Sequence, residues 1–352
     1  MLFPEESRYR NVTRSTAGCI LFIIIVLIFW GLVNPISDIR TRQIKTEEND
    51  LHLYRAIAER IRSGEGYYES SKAELVKRGY PTGSIFNWRP PLLSWALGHL
   101  PDLRIAKAAA MLLSLITVWL WVSIFGKELP FSKVFVGSFL VLGGPLSSVA
   151  TEAYLGHEFW AGTLITSSIL FYTKGWRCIA FSAGILALLI RELALPFIIV
   201  MICLSSFERK YQETAIWALG IILFIIMMVI HSFHIKEIAP PDAIYSYSKW
   251  ITFGGWNLIL GTASSHPYFI LFPPWFYAVL LPLVLLGLSG WKGPLGSRLG
   301  LTVGAYVFIF LFVGQDFNRY WGGLYTDLMF PGLLYLFPVT SDLCRPFSIS
   351  KG

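Results

Sequence analysis

Long apolar runs alternate with short polar connections over most of this chain. The runs cover roughly 18–35, 104–125, 133–150, 159–174, 178–190, 193–207, 213–233, 268–289, 299–314 and 326–340. Each predicts a membrane-spanning helix, since about 20 consecutive apolar residues cross a bilayer. Several runs are shorter than that, so either their ends extend into the connections or they lie as broken helices inside the bundle. The pattern changes in a first outer loop, over about 37–103. There Glu47-Glu48-Asn49-Asp50-Leu51-His52-Leu53-Tyr54 opens the most water-soluble stretch of the chain. From Leu53 on, Tyr54, Ile57, Ala58 and Ile61 recur at helical spacing, with Arg55, Glu59 and Arg62 between them. That predicts an amphipathic helix lying on an apolar surface. Asp50 falls at the start of this helix, where a carboxylate serves as a cap or as a catalytic base. Pro90-Pro91 break the chain before a short apolar helix over about 92–100, too short to span. A second outer loop is expected over about 234–267, carrying Pro240-Pro241, Tyr245, Tyr247, Lys249 and Trp250.

Composition agrees with the pattern. Of 352 residues, 55% are hydrophobic and 14% charged, whereas soluble domains carry about a quarter charged residues. The chain therefore reads as one integral membrane domain, 1–352, of the all-α polytopic class. Its net charge of +7 does not indicate nucleic acid, because the cations fall in pairs between apolar runs and form no basic domain. With the N-terminus placed inside, those pairs lie on the cytoplasmic side: Lys127 with Lys133, Lys174 with Arg177, Arg209 with Lys210, Lys292 with Arg298, Arg345 with Lys351. Both termini are then cytoplasmic, and both large loops face outward. The first apolar run lacks a small-residue cleavage pattern and reads as a retained anchor. Cys19, Cys178, Cys203 and Cys344 have neither metal-ligand nor redox spacing.

Candidate chemistry gathers on the outer side. Asp50, Arg89, Glu152, His157, Glu158, Arg191, Glu192, Lys249, His266 and Arg319 all fall there. Ionisable residues at membrane depth are costly and mark functional sites. A carboxylate among several cations at a water–lipid boundary suits a phosphate tethered to lipid and an acceptor hydroxyl that must lose its proton. Each residue also has a plainer role: Asp50 as a cap, Arg319 as a headgroup anchor, Arg191 and Glu192 as a mutually neutralising pair, His157 and Glu158 as a solvated turn, Arg89 as a snorkelling cation.

Asp50-Leu51-His52-Leu53-Tyr54, the run Gly64 to Tyr68, Trp88-Arg89-Pro90-Pro91 and the late Arg319-Tyr320 occur in this order and on one side of the membrane. In this the chain resembles the GT-C membrane glycosyltransferases, especially those that take mannose from a polyprenyl phosphate. The resemblance implies a GT-C-like fold of about ten transmembrane helices, its large first outer loop bearing amphipathic helices. It implies transfer of one sugar, mannose or another hexose, from a polyprenyl-phosphate donor to an acceptor hydroxyl, with inversion. Asp50 would be the general base, with Glu47 and Glu48 as alternatives. Arg319 and then Arg191 would hold the phosphate, and Tyr54, Arg89, His157, Glu158, Glu192 and Tyr320 would line the substrate site. No metal or other cofactor is implied. The partners would be the donor, a glycan, glycolipid or protein acceptor, and membrane lipid. The location would be a bacterial inner membrane with the site periplasmic. The competing readings are a multispan transporter or lipid flippase and a non-catalytic subunit of the same fold. A transporter is expected to show internal repeats, and none is visible.

Overall fold

A computed structural model describes residues 3, 5–36, 39–144, 152–241, 243 and 251–348, except for the side chains of 39–49 and 270–271. All regular elements among them are helical; a single antiparallel bridge joins Ile251 to Val313. Four helices are long and apolar enough to cross a membrane: α1 (Arg14–Val33), α5 (Leu103–Glu128), α10 (Tyr211–Ile238) and α14 (Pro294–Phe312). The chain is thus an all-α membrane protein. Between these lie α2 (Ile39–Arg62), α3 (Tyr67–Lys77), α4 (Pro91–His99), α6 (Phe131–Leu140), α7 (His157–Thr173), α8 (Arg177–Ile190) and α9 (Leu195–Phe207). The later pieces are α11 (Gly255–Ala263), α12 (Pro267–Leu271), α13 (Pro274–Gly290), α15 (Thr326–Met329) and α16 (Leu336–Cys344).

Helix α7 is the centre of the bundle. Residues from Ala161 to Leu170 are buried all round, so the helix has no polar face to turn toward water. Its small residues let neighbours approach closely, as in membrane interiors. A Cβ on Gly162 would meet the carbonyl oxygen of Gly323 at 1.9 Å, so a side chain there would push away the 3-10 turn Asp316–Leu324. On the turn's other flank, a Cβ on Gly322 would meet the carbonyl of Thr262 in α11 at 1.8 Å. That turn is therefore wedged between α7 and α11. Helices α1 and α10 are peripheral, and they present Phe22, Ile25, Phe29, Ile222, Ile226 and Phe233 outward.

The amphipathic face of α2 is as its spacing predicts: Tyr54, Ile57, Ala58 and Ile61 are all buried. Its boundary is different. The helix begins at Ile39, so Asp50 lies mid-helix and caps nothing. The polar residues upstream, Gln43, Lys45, Glu47 and Glu48 among them, are good helix formers, and solubility there did not mean a loop. Side chains of Glu47 and Glu48 lie outside the described residues.

One expected loop and two expected spans also differ from the apolar pattern. The expected outer loop 234–267 is shorter, because α10 runs on to Ile238 and α11 forms a buried helix inside it. Tyr245, Tyr247, Lys249 and Trp250 fall outside the described residues. The expected span 326–340 is three pieces, α15, a 3-10 stretch Phe330–Tyr335 holding Pro331, and α16. Such a break is tolerated because protein surrounds it: Leu328, Met329, Phe330 and Tyr335 are buried. The run 268–289 is divided by Pro273 into α12 and α13.

Candidate functional site

Six segments converge on one polar cluster at the end of the bundle where α7 begins. Helix α2 brings Asp50 and Tyr54 on its inward face. The turn after α3 brings Tyr80, and the segment before α4 brings Arg89. The start of α7 brings His157 and Glu158. The break between α8 and α9 brings Arg191 and Glu192, and the wedged 3-10 turn brings Tyr320.

Arg89 is the hub. Its Nε donates to the Tyr54 hydroxyl at 3.1 Å, its Nη2 to the Tyr320 hydroxyl at 3.1 Å, and its Nη1 to the Phe86 carbonyl at 3.1 Å. Glu192 Oε1 lies 4.0 Å from Nη1. The backbone of Arg89 is left-handed, with φ 60°, a conformation that costs a residue with a Cβ about 1 kcal/mol or more. Tyr67 holds it there. Its hydroxyl reaches the carbonyls of both Trp88 and Arg89, the latter at 2.9 Å. Trp88 is buried and donates its Nε1–H to the Thr82 carbonyl at 2.9 Å. The Trp88-Arg89-Pro90-Pro91 run is thus a clamp that aims one guanidinium inward.

Asp50 is 8% exposed, and Tyr80 donates its O–H to Asp50 Oδ1 at 2.7 Å. Burial raises the Asp50 carboxyl above its ordinary value of 3.8, because the ionised form loses water. Arg89 and the hydroxyls of Tyr80 and Tyr320 pull it down, while Glu158 pushes it further up. The balance favours a carboxylate more basic than one in water.

Arg191 is fully buried. Its Nε lies 2.7 Å from Glu158 Oε1, and its Nη1 pairs with Glu192. His157 is buried edge-on to the Tyr54 ring, with ring centres 4.7 Å apart. Neither of its nitrogens makes a hydrogen bond. Asp50, Glu158 and Glu192 face Arg89 and Arg191, three carboxylates against two guanidiniums.

Eight of the nine candidate residues therefore meet. The ninth, Arg319, points the other way. It neighbours Tyr320 in the chain, but the tight turn sends Tyr320 toward Arg89 and Arg319 toward α11. Its Nε donates to the Asp316 carbonyl at 2.9 Å, and a Cβ on Gly261 would meet that same Nε at 2.9 Å. It is 1% exposed, and Nη1 and Nη2 make no hydrogen bond. The nearest carboxylate oxygen, Asp316 Oδ1, is 3.7 Å from Nη2 on a side chain that is mostly exposed.

The outlying residues fall elsewhere. Glu152 is exposed and pairs with Arg55 of α2. His266 is buried beside Asp327, at 3.4 Å, and caps α12 by accepting from the Tyr268 N–H. Sequence reasoning missed Tyr67 and Tyr80. Tyr67 lay within the Gly64 to Tyr68 run without a role, and nothing in Gly79-Tyr80-Pro81 marks a carboxylate partner. Among the described residues no group of three or more His, Cys, Asp or Glu side chains is placed to hold a metal ion.

Two cavities bear on access. One of about 440 Å³ is lined by Arg78, Gly79, Tyr80 and Pro81, beside the cluster. The larger, about 970 Å³, lies at the opposite end of α5, against Lys127, Glu128, Lys133 and Asp342, and touches none of these residues. We place the chemistry by the buried ionisable groups and not by cavity size. No protein family, curated protein or solved structure matches the chain.

Proposed function

We propose that the chain is an inverting membrane glycosyltransferase with GT-C-like architecture. It moves one sugar, mannose or another hexose, from a polyprenyl-phosphate donor to an acceptor hydroxyl at the outer, periplasmic face of a bacterial inner membrane. The observation that carries this reading is a buried, basic Asp50 inside a shell of Tyr80, Arg89, Glu158 and Tyr320. A general base needs a raised affinity for protons and a fixed position, and burial supplies both.

In the proposed step Asp50 takes the proton of the acceptor hydroxyl. The acceptor oxygen attacks the anomeric carbon. The bond from that carbon to the phosphate oxygen breaks on the opposite side, and its electron pair leaves with the polyprenyl phosphate. Charge that builds on the leaving phosphate is met by guanidinium groups, an electrostatic contribution that is commonly the largest in such reactions. Arg319 is the first candidate, supported by two buried terminal nitrogens that make no hydrogen bond, with the exposed Asp316 carboxylate 3.7 Å from one of them. Arg191 is the second, but Glu158 and Glu192 already occupy it. The donor is a substrate, and the step uses no metal or other cofactor. The acceptor is a glycan, glycolipid or protein.

The test is single-turnover reaction of the purified protein in lipid with a panel of polyprenyl-phosphate hexoses. Release of polyprenyl phosphate with a product of inverted anomeric configuration is expected for one donor. Binding of donors with retained configuration in the product, or no consumption of any donor by folded protein in the presence of glycan acceptors, overturns the reading.

A further inference from the structure

The 440 Å³ cavity at Arg78–Pro81 is not explained by the donor. It lies in the first outer loop, and two of its four lining residues, Arg78 and Gly79, are exposed to solvent. Tyr80 stands between it and the cluster. Tyr80 lines the cavity, and its hydroxyl sits on Asp50 Oδ1 at 2.7 Å. A half-buried tyrosine with an apolar body and a polar tip joins a wet side to a buried one.

The turn is built to hold that side chain in place. Gly79 takes φ +70° with open space where a Cβ would be, and the Tyr80 N–H donates to the Leu75 carbonyl at 2.9 Å. Asn87 Nδ2 donates to the Pro81 carbonyl at 3.0 Å, which ties the turn to the segment carrying Arg89. Arg78, which also lines the cavity, is held by Glu74 at 3.2 Å.

We propose that the acceptor reaches Asp50 from the aqueous side through the Arg78–Pro81 turn, with Tyr80 as a latch whose hydroxyl the acceptor hydroxyl displaces. The acceptor is then a hydrophilic group presented from water, whereas the lipid-linked donor comes from the bilayer. Tyr80 is a positioning residue: it acts through Asp50 and supplies the hydrogen bond that holds the carboxylate until the acceptor replaces it. This rests on the glycosyltransferase reading for the word acceptor, but the route itself does not.

The experiment is modification of Asp50 in the full-length protein in lipid vesicles. A water-soluble carbodiimide with taurine, which does not cross membranes, labels carboxyl groups, and peptide mass spectrometry reads Asp50. Tyr80→Ala is expected to raise the Asp50 labelling rate severalfold while Glu158 and Glu152 label as in the parent, which reports an intact fold. Pro81→Cys, carrying a bulky maleimide in a background with the four exposed cysteines replaced by serine, is expected to lower it severalfold. Tyr80→Phe keeps the ring but removes one of the hydrogen bonds that favour the ionised carboxylate. The pH midpoint of Asp50 labelling then moves up, with Arg89, Glu158 and Tyr320 still facing the group. A merely structural Tyr80 would leave that midpoint where it is. Equal Asp50 labelling in the parent, Tyr80→Ala and the blocked Pro81→Cys protein overturns the route. Sugar transfer is not needed for any of these readings. If labelling follows the turn but no donor reacts, the route stands and the glycosyltransferase reading falls; the reverse pattern overturns the route alone.

Discussion

Two clusters of charge sit at opposite ends of the same helices, one buried around Asp50 and one half-buried around Arg298, and they are built differently. Helices α7, α8 and α9 each reach from one to the other, and α7 alone separates them by about 25 Å. At the far end Arg298 Nη2 donates to both oxygens of Glu208, at 2.8 and 3.1 Å, and Nη1 donates to the Pro294 carbonyl at 3.0 Å. Lys210 reaches the same carboxylate at 2.6 Å. Tyr172 donates to Glu213, and the guanidiniums of Arg177 and Arg298 lie over its ring at 3.4 and 4.3 Å. Of the buried polar atoms in that group, Arg298 Nε alone lacks a hydrogen bond. The Asp50 end is left incomplete. Both nitrogens of His157, Nη2 of Arg191 and Oε2 of Glu192 make none. Unmade hydrogen bonds cost stability, and under the proposed function the substrates supply the partners missing at the Asp50 end.

That contrast is open to attack by substitution. The largest stability effect is expected for Arg298→Ala, which removes a buried guanidinium from Glu208 and should cost about 1–3 kcal/mol. A lowered unfolding midpoint with unchanged activity per folded molecule is the expected result. Arg89→Gly should do the opposite. It relieves a left-handed backbone, worth about 1 kcal/mol, but removes the guanidinium that ties Tyr54 to Tyr320. Turnover lowered on the order of a hundredfold, well beyond any loss of folded protein, is expected from denaturation and single-turnover assays side by side. A smaller effect is expected for Tyr67→Phe, which loosens the clamp on Arg89 at a cost of about 1 kcal/mol; a fall in turnover without a change in donor binding is the signature of lost aim.

The mildest test is pH. A base works ionised, and burial raises the Asp50 carboxyl above 3.8. Activity should therefore fall as pH drops through a value above the ordinary carboxylate range. Tyr80→Phe should carry that acidic limb further up, and Glu158→Gln should carry it down, since the Glu158 charge is one of the groups that raises it. An acidic limb at the ordinary value in all three proteins would detach Asp50 from the chemistry.

The sequence carried some of this and not the rest, for physical reasons. The inward face of α2 was legible because Tyr54, Ile57, Ala58 and Ile61 repeat at the helical period, and a period needs no tertiary information. The start of α2 was not, since polar helix formers before Asp50 look like loop when judged by solubility. Helix α11 was hidden by its length and by Gly254-Gly255 at its head, and its burial comes from neighbours distant in sequence. The grouping of Asp50, Arg89, Glu158 and Arg191 followed from placing those charges on one side of the apolar runs. The separation of Arg319 from Tyr320 did not, because adjacent residues on a 3-10 turn leave on different sides and only packing against α7 and α11 fixes which. Tyr67 and Tyr80 act through one hydroxyl each, and a tyrosine in an aromatic-rich membrane protein carries no mark of that.

The most direct measurement pairs the parent with Asp50→Asn in single-turnover transfer from polyprenyl-phosphate sugars, in lipid, with expression and unfolding midpoint recorded for both. The substitution keeps size and the capacity to accept from Tyr80 but removes the basicity. The account predicts an unchanged fold, unchanged donor binding and a loss of turnover of about 10² to 10⁴-fold. Turnover equal to the parent's would contradict it.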